Sequence, residues 1–312
     1  MADKMATREA YGQVLLELGE QYENLIVMDA DLSGSTKTKD FGKKFPDRFF
    51  NMGIAEQDLM GTAAGLALSG KIVCASSFAM FAAGRAFEVI RNSIGYTGAN
   101  VKICATHAGI TVGEDGASHQ TFEDLAIMST IPGMTVLCPS DGPSAKALIR
   151  EAVAMEGPCY IRLGRSAVPN VYDEDEKLTI GKGVTLREGL AVTMAATGIM
   201  VDAALKAADI LAGEGIDARV IDLHTIKPLD EDILIKAAQE TGGIVTCEEH
   251  SVIGGLGSAV ASVLATKYPT RMEMIGQKDT FGESGKPAEL LAKYGMTAED
   301  IADAARKIAR GR

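Results

Sequence analysis

Short apolar runs of strand length alternate with longer helix-periodic segments along the whole chain, and this alternation most restricts its fold. Thr7 to Tyr22 reads as a helix and Leu25 to Asp29 as a strand; helix Glu56 to Ser69 leads to strand Lys71 to Ala75, and helix Phe78 to Tyr96 to strand Val101 to Thr106. Strand Thr135 to Cys138, helix Ser144 to Met155 and strand Cys159 to Leu163 follow. Such a pattern predicts a mainly parallel sheet covered by helices on both faces. The polar stretch Pro169 to Lys182 reads as a linker. The theme then repeats: strands Leu190 to Ala196, Ala218 to Leu223, Ile244 to Glu248 and Arg271 to Ile275, with helices Val201 to Gly213, Asp230 to Thr241, Gly257 to Lys267 and two more from Lys286 and Thr297. The expectation is α/β throughout, as two consecutive domains over residues 1–175 and 176–312, which suits 312 residues at roughly 100 to 200 per domain.

Composition narrows the partners. Thirty-one basic against 42 acidic residues leave a formal charge of -11, which repels polyphosphate backbones and anionic lipid. No basic patch offsets it, so neither nucleic acid nor membrane is expected, and an anionic small substrate must be held by a few focused cations. The N-terminal run Met1 to Arg8 is charged where a signal peptide would be apolar, and no segment approaches the roughly 18 apolar residues of a membrane span. Cys74, Cys104, Cys138, Cys159 and Cys247 form no CxxC pair and fall mostly in predicted strands, as small buried hydrophobes do. These features predict a cytoplasmic protein.

Chemistry-bearing side chains gather in few places. Glu56, in Gly53-Ile54-Ala55-Glu56-Gln57, opens a helix whose next residues are mostly small and apolar; alone it reads as a complement to the helix dipole. Phe78 and Phe81 open the helix after strand Lys71 to Ala75, either as an i, i+3 core pair or as a stacking face at the end of a parallel strand. Thr106 to Gln120 is the densest cluster of titratable and hydrogen-bonding groups, with His107, Glu114, Asp115 and His119, and its Gly113 to Gln120 part is too polar and glycine-rich to be core. Arg8 and Arg165, taken singly, read as solvated surface charges. His224 and His250 read as structural.

Together and in this order, these segments resemble the pyrimidine-binding domain of thiamine-diphosphate enzymes of the transketolase group, followed by the C-terminal domain of that group. The resemblance implies that Glu56 hydrogen-bonds N1′ of the cofactor's aminopyrimidine, which then removes the thiazolium C2 proton. For this its carboxyl must keep a proton near neutrality in an apolar setting. It further implies that Phe78 and Phe81 stack on the aminopyrimidine, that Asp31 and Leu32 line the cofactor, and that His119 lines both cofactor and substrate as a second catalytic residue. Gly84 stands where a third aromatic is common in the family. His107 and Asp115 would contact the sugar, and Arg8, Ser35 and Arg165 would grip its terminal phosphate, a task suited to the planar guanidinium fork.

Two segments are decoys. Ser140-Asp141-Gly142 with Asn170 mimics the family's magnesium and diphosphate motif, but its first glycine is serine and the segment reads as a helix N-terminus. Gly254-Gly255-Leu256-Gly257 misses the dinucleotide fingerprint and reads as a strand-to-helix turn. With the diphosphate-binding domain missing, the resemblance implies the second subunit of a split transketolase. Such a subunit would form a homodimer through its pyrimidine-binding domains and a heterotetramer with a partner that holds the diphosphate and Mg2+, no metal site being expected in this chain. The implied reaction is two-carbon ketol transfer between phosphorylated sugars of the pentose phosphate kind. Deoxyxylulose-phosphate synthase and 2-oxoacid dehydrogenase β subunits share Gly-Ile-Ala-Glu-Gln and remain alternatives, as do a catalytically silent regulatory subunit and a metal hydrolase using His107, Glu114, Asp115 and His119.

Overall fold

A computed structural model describes residues 4–310, so the first three residues of the charged N-terminal run lie outside the described ones. In chain order the strands are β1 (Lys4–Met5), β2 (Leu25–Asp29), β3 (Phe49–Asn51), β4 (Ile72–Phe78), β5 (Val101–Thr106), β6 (Thr135–Leu137), β7 (Cys159–Arg162) and β8 (Val168–Pro169). After the polar connection come β9 (Val184–Arg187), β10 (Val192–Ala196), β11 (Ala218–Asp222), β12 (Thr225–Lys227), β13 (Ile244–Ser251) and β14 (Met272–Gln277).

The first sheet has the order β12-β6-β7-β5-β4-β2-β3, parallel except for β12. The second has the order β14-β13-β10-β11-β9, parallel except for β9. The expected α/β class with mainly parallel sheets is therefore what the chain adopts. Strands β2, β4, β5 and β7 are buried along their whole length, because helices cover both faces. Helices Thr7–Gln21 and Gly142–Ala154 pack on one face through Tyr11, Val14, Leu15, Leu148 and Ile149. Helix Glu56–Leu68 packs on the other through Leu59, Met60, Ala63 and Ala64. That core runs on without a break into the second unit through Ile221, Leu223, Leu256 and Val260. Among the described residues no helix is long and apolar enough to cross a membrane.

Three expectations need correction. Phe78 does not open a helix: β4 runs on through it, because β5 continues the ladder to Phe78 opposite Thr106. The stretch expected as helix Phe78 to Tyr96 is instead a π-helical turn, Met80–Arg85, a short α-helical turn, Phe87–Val89, and a second π turn, Ile90–Gly95. Such turns are rare and often mark functional sites. Nor is Gly113 to Gln120 wholly outside the core: Ile110–Asp115 forms 3-10 turns in which Ile110, Thr111, Val112 and Gly113 are buried, and Gly116 and Gln120 are buried after them. The polar stretch Pro169 to Lys182 is fastened to the first unit: Tyr172 and Leu178 are buried, and the Asp141 carboxylate accepts from the amides of Val171 and Tyr172. Short helices Ser33–Thr36, Lys39–Lys44 and Asp124–Ser129 had no sequence signal strong enough to read.

Both decoys fold as expected. Asp141 caps helix Gly142–Ala154 in a capping box with Ser144. At the other turn, the Glu248 carboxylate accepts from the amides of Leu256 and Gly257 at the start of helix Leu256–Lys267. The five cysteines are buried and unpaired.

Candidate active site

Because β7, β5, β4 and β2 are neighbours and parallel, their C-terminal ends share one edge of the sheet. In such sheets this is the edge where ligands bind. It collects residues far apart in sequence: Arg165 after β7, His107 after β5, Phe78 at the end of β4 and Asp31 to Ser35 after β2. Arg8 joins them from the first turn of helix Thr7–Gln21. The Thr7 hydroxyl there accepts from the amide of Gly164 at 2.7 Å, and β1 pairs with β8, fixing the helix start beside the Arg165 segment.

At the cationic end, an Arg8 Nη donates to the Ser35 carbonyl at 2.9 Å and lies 3.3 Å from His107 Nε2. A guanidinium carries only donors. Nε2 must therefore accept, which leaves the ring proton on Nδ1, 2.9 Å from the Thr106 hydroxyl. Burial, and then the charges of Arg8 and Arg165, push His107 down to about 3, so the imidazole is neutral. Arg165 donates to the Val112 carbonyl and pairs with Glu114 at 3.3 Å and Asp115 at 3.9 Å. Two of the residues expected on the sugar, Asp115 and Arg165, thus contact each other. Ser35 contributes its carbonyl to Arg8. Lys37, absent from the sequence reading, adds a further charge felt by His107.

At the aromatic end, Phe78 stacks on His107 with ring centroids 3.8 Å apart and on Phe81 at 6.1 Å, and His119 stands edge-on to Phe81 at 5.3 Å. The buried Glu56 comes to the end of the same strand, its carboxylate 3.4 Å from the hydroxyl of Ser77, the residue before Phe78. Gly84 is exposed, and the Met80 methyl lies where a side chain at position 84 would begin, 2.7 Å from its Cβ. A cleft of about 650 Å³ opens past Phe81, walled by Ser118, Gln120, Gln277 and Phe281.

Among the described residues only Asp31, Lys37 and His107 are non-glycine residues with positive φ, at 62°, 69° and 57°. All three lie in this site. Backbone strain of this kind costs on the order of 1 to 3 kcal/mol and clusters where function needs a fixed geometry. Asp31 is tied to Asn51, whose side-chain carbonyl accepts from the Asp31 amide at 3.0 Å. Leu32 leads the turn that Asp29 organises: the buried Asp29 carboxylate accepts from the hydroxyls of Thr36 at 2.6 Å and Thr38 at 3.1 Å. Asp29 was not singled out in sequence, although an acid ending an apolar strand ahead of two threonines is a usable signal. No three His, Cys, Asp or Glu side chains of the described residues are grouped as metal ligands.

Residues 3–171 match the family model of the transketolase pyrimidine-binding domain, and residues 181–301 that of the transketolase C-terminal domain. The chain belongs to the transketolase family. A solved split-gene transketolase, described as an inactive β4 tetramer, superposes with a TM-score of 0.91 at 54% identity, covering 99% of both chains. A Methanocaldococcus jannaschii chain that carries the name of a transketolase C-terminal section is 53% identical over 95% of this chain and 93% of its own length. Human transketolase is 37% identical over 98% of this chain but only 49% of the human protein. This member of the transketolase family thus spans about half of a full-length relative.

Proposed function

We propose that the protein is the catalytic-carboxylate subunit of a split, thiamine-diphosphate-dependent transketolase. In this reading it transfers a two-carbon ketol unit between phosphorylated sugars, in the cytoplasm, when joined to a separate subunit that holds Mg2+ and the diphosphate. One observation carries the reading: Glu56, the Phe78 and Phe81 rings, His107, His119 and Arg8 converge at one sheet edge.

The donor set fits the cofactor. Glu56 is buried at the end of the strand that carries Phe78 with one weak side-chain partner, Ser77, so its carboxyl has capacity left for a ring nitrogen. Phe78 and Phe81 offer flat faces for a heteroaromatic ring. When bound, the cofactor supplies a carbon nucleophile for a ketose carbonyl. Glu56 would hold a proton at N1′. Neutral His107, its orientation fixed by Arg8 and Thr106, and His119 would face the sugar, and Phe78 and Phe81 would exclude water from the reacting carbonyl. Arg8, Lys37 and Arg165 would focus positive potential on the sugar's anionic end within an acidic protein.

The partner subunit is supported by the 49% share of the human relative and by the solved split-gene relative. Two further relatives are named as subunits of transketolases for 6-deoxy-6-sulfo-D-fructose, from Clostridium sp. at 42% identity, and for apulose-4-phosphate, from Phocaeicola vulgatus at 39%. Both substrates end in an anion, which suits the cationic Arg8 end of this site. Calorimetry of the purified chain with magnesium and thiamine diphosphate tests the reading. Negligible binding alone, with binding and ketol transfer on adding the partner, is expected of a complex with two copies of each chain. Micromolar binding or turnover without a partner would overturn it.

A further inference from the structure

The segment that carries Asp115 and His119 is fastened by the other half of the molecule. The buried Glu249 carboxylate, near the end of β13, accepts from the Thr111 amide at 2.6 Å, across 138 residues of sequence. Gly109, with φ at +79°, makes room for it: a Cβ there would lie 2.3 Å from the Glu249 carboxyl carbon. Glu249 is itself fixed, because its carbonyl accepts from Arg162 at 2.8 Å and Arg162 is paired with Asp124 at 2.9 Å. Further along, Gln120 Nε2 donates to the carbonyls of Ile110 and Glu283 at 3.2 and 3.0 Å, and a Cβ on Gly116 would meet the Ser284 hydroxyl at 2.5 Å. Burying a carboxylate is costly, and an apolar side chain would fill the space at less cost. What the carboxylate adds is a directed acceptor.

We propose that Glu249 is a positioning residue: the C-terminal unit serves as a clamp that holds the Gly109–Gln120 segment so that Asp115 and His119 face the sugar. The clamp gives the C-terminal unit a place in catalysis without touching substrate. It rests on the transketolase reading for its consequence, but its structural half is tested without any turnover.

Hydrogen exchange of the isolated chain reads the clamp directly. Glu249→Leu keeps the volume and removes the acceptor, so amides of Thr111 to Gly116 should exchange about 10- to 100-fold faster, as loss of a hydrogen bond to a charged group implies. Strands β4 and β5 should stay protected. Glu249→Gln keeps an acceptor and should remain within a few-fold of the native chain. Should Glu249→Leu not fold, Gly109→Ala displaces the same contact from the other side and must give the same local pattern. In the reconstituted complex, Glu249→Leu should raise KM for sugar substrates by more than it weakens cofactor binding, since Asp115 faces only the sugar and His119 both. Unchanged exchange at Thr111 to Gly116, an increase spread equally over the strands, or unaltered sugar KM would overturn the clamp. A native complex without ketol transfer would instead sink the transketolase reading, and the exchange result would still decide the clamp.

Discussion

Arg8 and His107, 99 positions apart in sequence, meet with 3.3 Å between guanidinium and Nε2, and the contact fixes the imidazole as the neutral Nδ1–H tautomer. Its folded value of about 3 lies below the free value of 6.5, so the stability tied to its neutrality is complete above about pH 6.5 and is lost as pH falls toward 3. His107 ring protons followed by NMR should not shift between pH 5 and 8. A midpoint inside that range would show that burial and the neighbouring Arg8 charge do not keep the ring neutral.

Glu56→Gln should leave the fold intact and remove nearly all turnover of the reconstituted enzyme, because an amide does not exchange a proton with N1′. The hydroxyl of Ser77 is within reach of either group. NMR of C2 proton exchange on bound cofactor gives the answer, and exchange at the native rate would refute the role.

The two arginines should separate by substrate. Arg8→Ala should lower kcat/KM for phosphorylated sugars by about 10- to 100-fold, as loss of a charge-assisted contact implies, and for non-phosphorylated analogues by much less, through the freed His107 alone. Arg165 also holds the Val112 carbonyl and pairs with Glu114 and Asp115, so Arg165→Ala should harm both substrate classes. Steady-state kinetics on matched sugars distinguishes these patterns; equal losses for Arg8→Ala would make it structural.

Asp222 couples the two sheets to pH. Its buried carboxyl accepts from the Ser140 hydroxyl at 3.1 Å and the Tyr172 hydroxyl at 2.9 Å, while its other oxygen has no partner. Burial pushes it up to about 7 from an ordinary 3.8, so the stability its neutral form contributes is complete below about pH 3.8 and is lost as pH rises through 7. Urea midpoints of the native chain, compared with Asp222→Asn, should fall relative to the variant between pH 4 and 7. Parallel curves would mean that Asp222 is ionised throughout.

What the sequence made legible was local. The apolar runs of β2 and β5 and the cap at Asp141 depend on neighbours within a few residues, and each appears where expected. Phe78 was misplaced because its fate is decided by Thr106 on the adjacent strand. Lys37 escaped notice because a lysine in a polar turn carries no mark of the left-handed backbone it adopts beside Arg8 and His107, whose ring feels its charge. Glu249 escaped because its partner is the amide of Thr111, and an amide has no letter in the sequence. The Glu56, Phe78, His107 and Arg8 assignments came from resemblance to a family, and the geometry adds which of them touch.

Strand β12 carries a consequence for how the molecule comes apart. It belongs by sequence to the second unit, yet Thr225–Lys227 closes the β6 edge of the first sheet. A protease nick in the exposed segment Asp173 to Lys177 would therefore leave two fragments still laced through one ladder. Discarding everything after that segment would strip β6 of its cover and present a bare strand edge to other copies. The halves of this chain are separable on paper but are stitched in space, and a fragment made from the first alone should be sticky.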